Sequence, residues 1–136
     1  MSAFGHWDTV APLQIWDGVV GRAVTGAEAT LAAIELEPGT KVPEHQHVNE
    51  QTGMLIRGSL TFRIGDETQE LRPGSTWVIP ADVRHSVDAG PEGASIQVRW
   101  RQQVRARGSR VRRHGVRAGG PPRATRTVST LDRAGR

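Results

Sequence analysis

The chain contains no cysteine. Disulfides and thiolate metal sites are therefore excluded, and cysteine usage leaves the redox compartment open. No apolar run is long enough to span a bilayer. The first ten residues have neither a basic n-region nor an apolar h-region, so they do not read as a secretory signal. The expectation is a soluble cytoplasmic protein. Aromatic residues are scarce, with four tryptophans, two phenylalanines and no tyrosine. Within residues 1–100 no segment shows a helical hydrophobic period with caps at its ends.

The 136 residues suffice for one domain with a modest core. Charge is unevenly divided along them. Residues 1–100 carry 7 basic and 13 acidic side chains, a net charge of −6, whereas residues 101–136 carry 11 arginines and one acid, Asp132, a net charge of +10. The pI of about 11.1 averages an acidic body, residues 1–100, and a basic tail, residues 101–136. The tail has one large apolar side chain other than valine, Leu131. It cannot bury enough apolar surface to offset the entropy of ordering, so it is expected to be disordered. Its arginines suit non-specific phosphate contact. Without interleaved aromatics or a nucleic-acid-binding motif, specific readout is not expected.

The body reads as short strands. Residues 29–37 form an extended run that ends at Pro38-Gly39. Leu60, Phe62 and Ile64 alternate with Thr61 and Arg63, the period of a half-buried strand. Gly65-Asp66 marks a hairpin into residues 68–71. Residues 77–79 are a short apolar strand stopped by Pro80, and residues 94–100 a last strand. Turn signals fall at Glu37-Pro-Gly39, Arg57-Gly-Ser59, Gly65-Asp66, Arg72-Pro-Gly74 and Ala89-Gly-Pro91. Short strands with turns this frequent predict an all-β sandwich or barrel.

Four side chains stand out for their chemistry. His45 and His47 are two apart, so on a strand both would face inward with Gln46 outward. Residues 48–50 would turn the chain, and Gln51 would begin a neighbouring strand with its amide oxygen beside the two rings. His85 would arrive from a strand distant in sequence after a turn over residues 80–84. Three neutral imidazoles and one amide oxygen suit one divalent transition metal ion: Fe, Ni, Mn, Zn, Co or Cu. Four protein donors leave one or two positions for water or substrate. His6 and His114 fall outside this pattern and read as ordinary exposed residues.

The residues Gly39-X5-His45-X-His47-X3-Gln51-X6-Gly58, followed by Gly74-X5-Pro80-X4-His85, resemble the two motifs of the cupin superfamily. The resemblance implies a double-stranded β-helix, the jelly-roll barrel of RmlC-like cupins, with a metal in its mouth at His45, His47, Gln51 and His85, and often a homodimer. Two departures stand out. Gln51 replaces the acidic ligand common in the first motif, and in the second Asp82 stands where glycine is usual and Ala89 where asparagine is common. The Gln51 form, with Glu50 before it, is most similar to small single-domain cupins of the pectin-degradation group, which act on unsaturated uronates. A neutral amide leaves the charge of the ion undiminished and makes it a stronger Lewis acid. Glu50 should point to the opposite face and stay at the surface.

The function implied is a metal-dependent enzyme acting on a small oxygen-rich substrate, of the uronate or keto-acid type. The reaction would be an isomerisation or tautomerisation, or an oxygen-dependent one, placing the protein among isomerases and lyases or dioxygenases. The alternative is a non-catalytic cupin that binds a small ligand. The general base stays unassigned. Arg57 is a candidate for holding a substrate carboxylate, while Arg63 reads as part of a solvated strand face. Trp16, Trp77 and Trp100 read as core or dimer-interface aromatics rather than substrate stackers. Small cupins continue their last strand into an acidic, proline-containing ending, and here arginine-rich text begins at about Gln97. Translation of a G+C-rich gene in a shifted frame gives such text. Residues after about Ile96 are therefore read as frameshifted or unselected, at the expected expense of the closing strand.

Overall fold

Alternation of buried and exposed side chains produces eight strands: β1 (Leu13–Trp16), β2 (Val19–Thr25), β3 (Ala29–Leu36), β4 (Lys41–His45), β5 (Gln51–Ile64), β6 (Glu67–Leu71), β7 (Thr76–Ile79) and β8 (His85–Arg101). The structure, a computed structural model, describes residues 2–101. Its one helical feature among the described residues is a 3-10 turn at Trp7–Thr9. The disorder expected of the tail, and His114, lie outside the described residues. In β3, Thr30, Ala32, Ile34 and Leu36 are buried while Leu31 and Glu35 are exposed, the period-two pattern that commits one face of a strand to a core.

All strand pairs are antiparallel. The two long strands, β5 and β8, pair along nearly their whole length and bend together. Residues 51–58 pair with residues 94–100 in a layer that also holds β1, β2, β3 and β7. Residues 60–64 pair with residues 85–89 in a layer that holds β4 and β6. The sheet thereby folds over on itself as a jelly roll and closes around Leu55, Leu60, Ile79 and Val98, none more than 2% exposed.

The bend depends on glycine. Gly58 pairs with Ala94 and Leu60 with Ala89, so the single residue Ser59 spans residues 90–93 of β8. Gly58 has φ +87°, and a Cβ there would run into the carbonyl oxygen of Gly93, itself at φ +76°. The sequence signals at Arg57-Gly-Ser59 and Ala89-Gly-Pro91 therefore mark a corner inside two continuous strands, not turns between separate ones. The signals at Glu37-Pro-Gly39, Gly65-Asp66 and Arg72-Pro-Gly74 do fall between strands.

The closing strand expected to be missing is present. β8 runs to Arg101, in register with β3 on one side and β5 on the other. Val98 is 2% exposed and Trp100 packs against the core, while Gln97 and Arg99 face outward. Arginine at an outward position is compatible with a strand, so an arginine-rich composition alone did not signal its end.

On the outer face, Asp88 accepts from Arg63 at 2.9 Å and lies 3.7 Å from Lys41. The hydrogen bond from Arg63 is the main cause that holds the Asp88 carboxyl below its ordinary 3.8, against a smaller upward push from burial.

Two outcomes follow for stability. Gly58→Ala should destabilise by more than about 2 kcal/mol in chemical denaturation, since the new methyl meets backbone that cannot rotate away. Because the folded pKa of Asp88 is depressed, its ion-pair contribution is present above pH 3.8 and lost as pH falls through the lower folded value. Denaturation midpoints of wild type and Asp88→Asn should therefore differ at neutral pH and converge below that point. A constant gap would contradict the assignment.

Candidate metal centre

The structure brings His45, His47 and His85 together at one end of the barrel. One ring nitrogen from each lies within 4.8 Å of the others, and the ring centroids are 4.2 to 6.0 Å apart. His45 ends β4 and sits in register with His85, the first residue of β8, so backbone pairing sets two of the three positions. His47 lies beyond the end of β4, and Gln46 is half-buried. The strand period therefore explains His45 but not His47. Loop hydrogen bonds place His47 instead: its carbonyl accepts from the Asp82 N–H at 2.8 Å, and Asn49 beside it donates its side-chain amide to the Arg101 carbonyl. The end of the closing strand thus supports the loop that carries His47.

Asp82 adopts φ +63°, the left-handed region, at the position where the cupin motif has glycine. Aspartate tolerates this conformation better than most residues, which lets the loop keep its path despite the departure.

All three rings are oriented in the same way. His45 Nδ1 lies 2.7 Å from the Pro43 carbonyl, His47 Nδ1 2.8 Å from that of Asn49, and His85 Nδ1 2.9 Å from that of Val83. A carbonyl only accepts, so each Nδ1 carries a proton and donates, which in the neutral ring leaves the lone pair on Nε2. This is the arrangement that orients metal-binding histidines. Nitrogens bound at about 2.1 Å to one ion at tetrahedral or octahedral angles stand about 3.0–3.4 Å apart, so this set would draw in from its spread of up to 4.8 Å to hold an ion. The three histidines could hold a metal ion.

Gln51 begins β5 as expected and is 5% exposed. Its strand pairs with β7 and β8 rather than β4, so its side chain meets the histidines across the barrel. Trp77 Nε1 donates to Gln51 Oε1 at 3.1 Å. An indole N–H is a donor only, which decides that the oxygen faces Trp77 and the amide nitrogen faces His47 Nε2, 3.4 Å away. Oε1 retains a second lone pair. Trp77 itself lies flat in the space over Gly53, where any Cβ would strike the indole.

Arg57 is placed on the outer face, where it donates to Glu35, Ser95 and the Glu92 carbonyl, and it does not line the cavity beside the histidines. Arg63 is on the outer face with Asp88. Glu50 is exposed. His6 is also exposed and accepts from the Asp8 N–H, capping the 3-10 turn. Trp16 packs against the core as expected, and its ring centroid also lies 4.7 Å from that of His45, so it forms part of the site wall. Asp17-Gly18, a two-residue hairpin signal between Trp16 and Val19, would have placed it.

A cavity of about 50 Å³ opens below His45, His85 and Gln51. Its remaining lining is apolar: Ile15 and Trp16 from β1, Phe62 from β5, and aliphatic side chains of β2, β3, β4 and β8. Among the described residues, no charged side chain lines it.

Residues 32–97, which include all four candidate ligands, match the family model described as "Cupin domain". The chain carries a cupin domain. Its structure resembles an RmlC-like cupin from Shewanella frigidimarina, with a TM-score of 0.69 and 16% identity over 76% of this chain and 93% of that one. It also resembles KdgF from Halomonas sp., at 0.65 and 19% identity over 76% and 96%. A variant of oxalate decarboxylase from Bacillus subtilis matches at 0.64 and 22% identity, over 71% of this cupin but only 28% of that longer chain. Identities this low establish a shared fold alone. No sequence match to a curated protein reaches significance.

The bond between Trp77 and Gln51 is testable without any ligand. Trp77→Phe leaves a buried amide oxygen without its donor and should cost about 1–3 kcal/mol in chemical denaturation. The same change in a Gln51→Met background should cost clearly less, because the pair acts as a unit. Additive losses would contradict the bond.

Proposed function

We propose that this cupin is a metal-dependent enzyme. One divalent transition metal ion would be held by the Nε2 atoms of His45, His47 and His85, with the Oε1 of Gln51 as a fourth donor. The observation that carries this reading is the common orientation of the three rings, each with Nδ1 tied to a nearby main-chain carbonyl, together with the convergence of one ring nitrogen from each to within 4.8 Å of the others. Such rings are oriented for an ion before it binds. The donor set is neutral, which suits Fe, Ni, Mn, Zn, Co or Cu and does not choose among them.

When bound, the ion would supply Lewis-acid stabilisation of negative charge developing on a substrate oxygen. The chain's own residues would do the rest. The histidine end of the cavity would receive the oxygen-rich head of the substrate. The apolar wall would exclude water from the reacting atoms. Trp77 would fix the amide of Gln51. The substrate would be a small uronate or keto-acid and the reaction a tautomerisation or isomerisation, with an oxygen-dependent reaction equally suited to the ligand set.

One observation favours a second reading. No carboxylate, lysine or tyrosine lines the cavity among the described residues, so the chain offers no side chain there other than the histidines to move a proton. A non-catalytic cupin that binds a small ligand would need none.

Two measurements test these readings. Metal analysis should find one equivalent of a divalent metal in wild type and a loss of at least tenfold in affinity in His47→Ala. Unchanged metal content in the variant would overturn the site. Turnover of a keto-acid or an unsaturated uronate by the metal-loaded protein would decide for the enzyme, and stoichiometric binding without turnover for the ligand-binding module.

A further inference from the structure

The cavity says more about the ligand than the metal ligands do. Its floor is built from Val19, Ile34, Leu36, Val87, Ile96 and Val98, and its polar groups, His45, Gln51 and His85, stand together at one side. These floor residues come from β2, β3 and β8, whose registers are fixed over several consecutive pairs, so the apolar floor is a built surface.

Three properties of this space constrain what enters it. The first is size. The recess beneath the histidines is small, about 50 Å³, which suits a short chain lying on its floor. The second is polarity. A hydroxyl pressed against this floor would lose its hydrogen bonds to water and gain none, whereas a methylene is transferred favourably. The third is charge. No arginine or lysine lines the cavity among the described residues, so a carboxylate could be neutralised only at the histidine centre.

We propose that the site takes a short-chain 2-oxo acid with an unsubstituted alkyl tail. Its carboxylate and keto oxygens lie at the histidine centre and its tail of one to three carbons lies on the floor formed by Ile34, Leu36, Ile96 and Val98. Such a ligand puts all its polar atoms at one end, as the cavity does. The amide nitrogen of Gln51, held toward His47 by the bond from Trp77, is a hydrogen-bond donor beside that head. The assignment rests on the proposed metal centre and selects the keto-acid over the uronate within it.

The test uses the protein loaded with cobalt(II), whose visible absorption reports both metal binding and ligand binding. Cobalt is titrated first and should bind at one equivalent. Pyruvate, 2-oxobutyrate and 2-oxopentanoate are then compared with 3-hydroxypyruvate, which replaces the terminal methyl of 2-oxobutyrate by a hydroxyl, and with galacturonate. Affinity should rise about fourfold from pyruvate to 2-oxobutyrate, the value of one buried methylene. 3-Hydroxypyruvate should bind at least fivefold more weakly than 2-oxobutyrate, and millimolar galacturonate should leave the spectrum unchanged. Stoichiometric cobalt binding with affinity that is flat or falling along the alkyl series, or with galacturonate preferred, overturns this assignment and leaves the metal centre standing. Failure of wild type to bind cobalt overturns both.

Discussion

The site depends on one repeated interaction, a histidine Nδ1–H donated to a main-chain carbonyl two residues away in sequence. It occurs at His45, His47 and His85 with N–O distances of 2.7 to 2.9 Å. Because donor and acceptor lie on the same short segment, each ring is oriented by its own backbone. The task left to the fold is to bring three such segments together. The His45–His85 strand pair brings two, and the loop bonds from Asp82 and Asn49 bring the third.

Convergence in turn requires the corner shared by β5 and β8. Without the bend at Gly58 and Gly93 the two long strands would continue as a flat ribbon, and Gln51, at the start of β5, would not reach histidines set at the ends of β4 and β8. The same corner closes the aliphatic floor beneath the histidine cluster. Geometry of the site and polarity of the cavity are thus two results of one backbone feature, in which glycine is required because a side chain would strike a carbonyl.

Much of this was legible in the sequence because the relevant constraints are local. Spacing gave the four candidate donors, turn chemistry gave Gly39, Gly65 and Gly74, alternation gave the end of β5, and short extended or apolar runs gave β3 and β7. Non-local features were harder to read. Arg57-Gly-Ser59 looks like a turn, and only pairing with residues 94 and 89 of β8 makes it a corner. His47 looks like a strand residue, yet loop hydrogen bonds place it. The arginines from Gln97 onward suggested an end to the barrel, but Val98 and Trp100 between them keep the inward face of β8 apolar. Trp16 carries no motif and lies in the site because the hairpin at Asp17-Gly18 folds β1 against the barrel. The partner of Gln51 was invisible for the same reason, as Trp77 is 26 residues away.

The central claim is that the rings are oriented for an ion before one binds. Long-range ¹⁵N–¹H correlation of the imidazoles in the metal-free protein at neutral pH tests it most directly. The account predicts that His45, His47 and His85 each carry the proton on Nδ1 and none on Nε2. A proton on Nε2 of any of the three, or a mixture of tautomers as in a free imidazole, would contradict it.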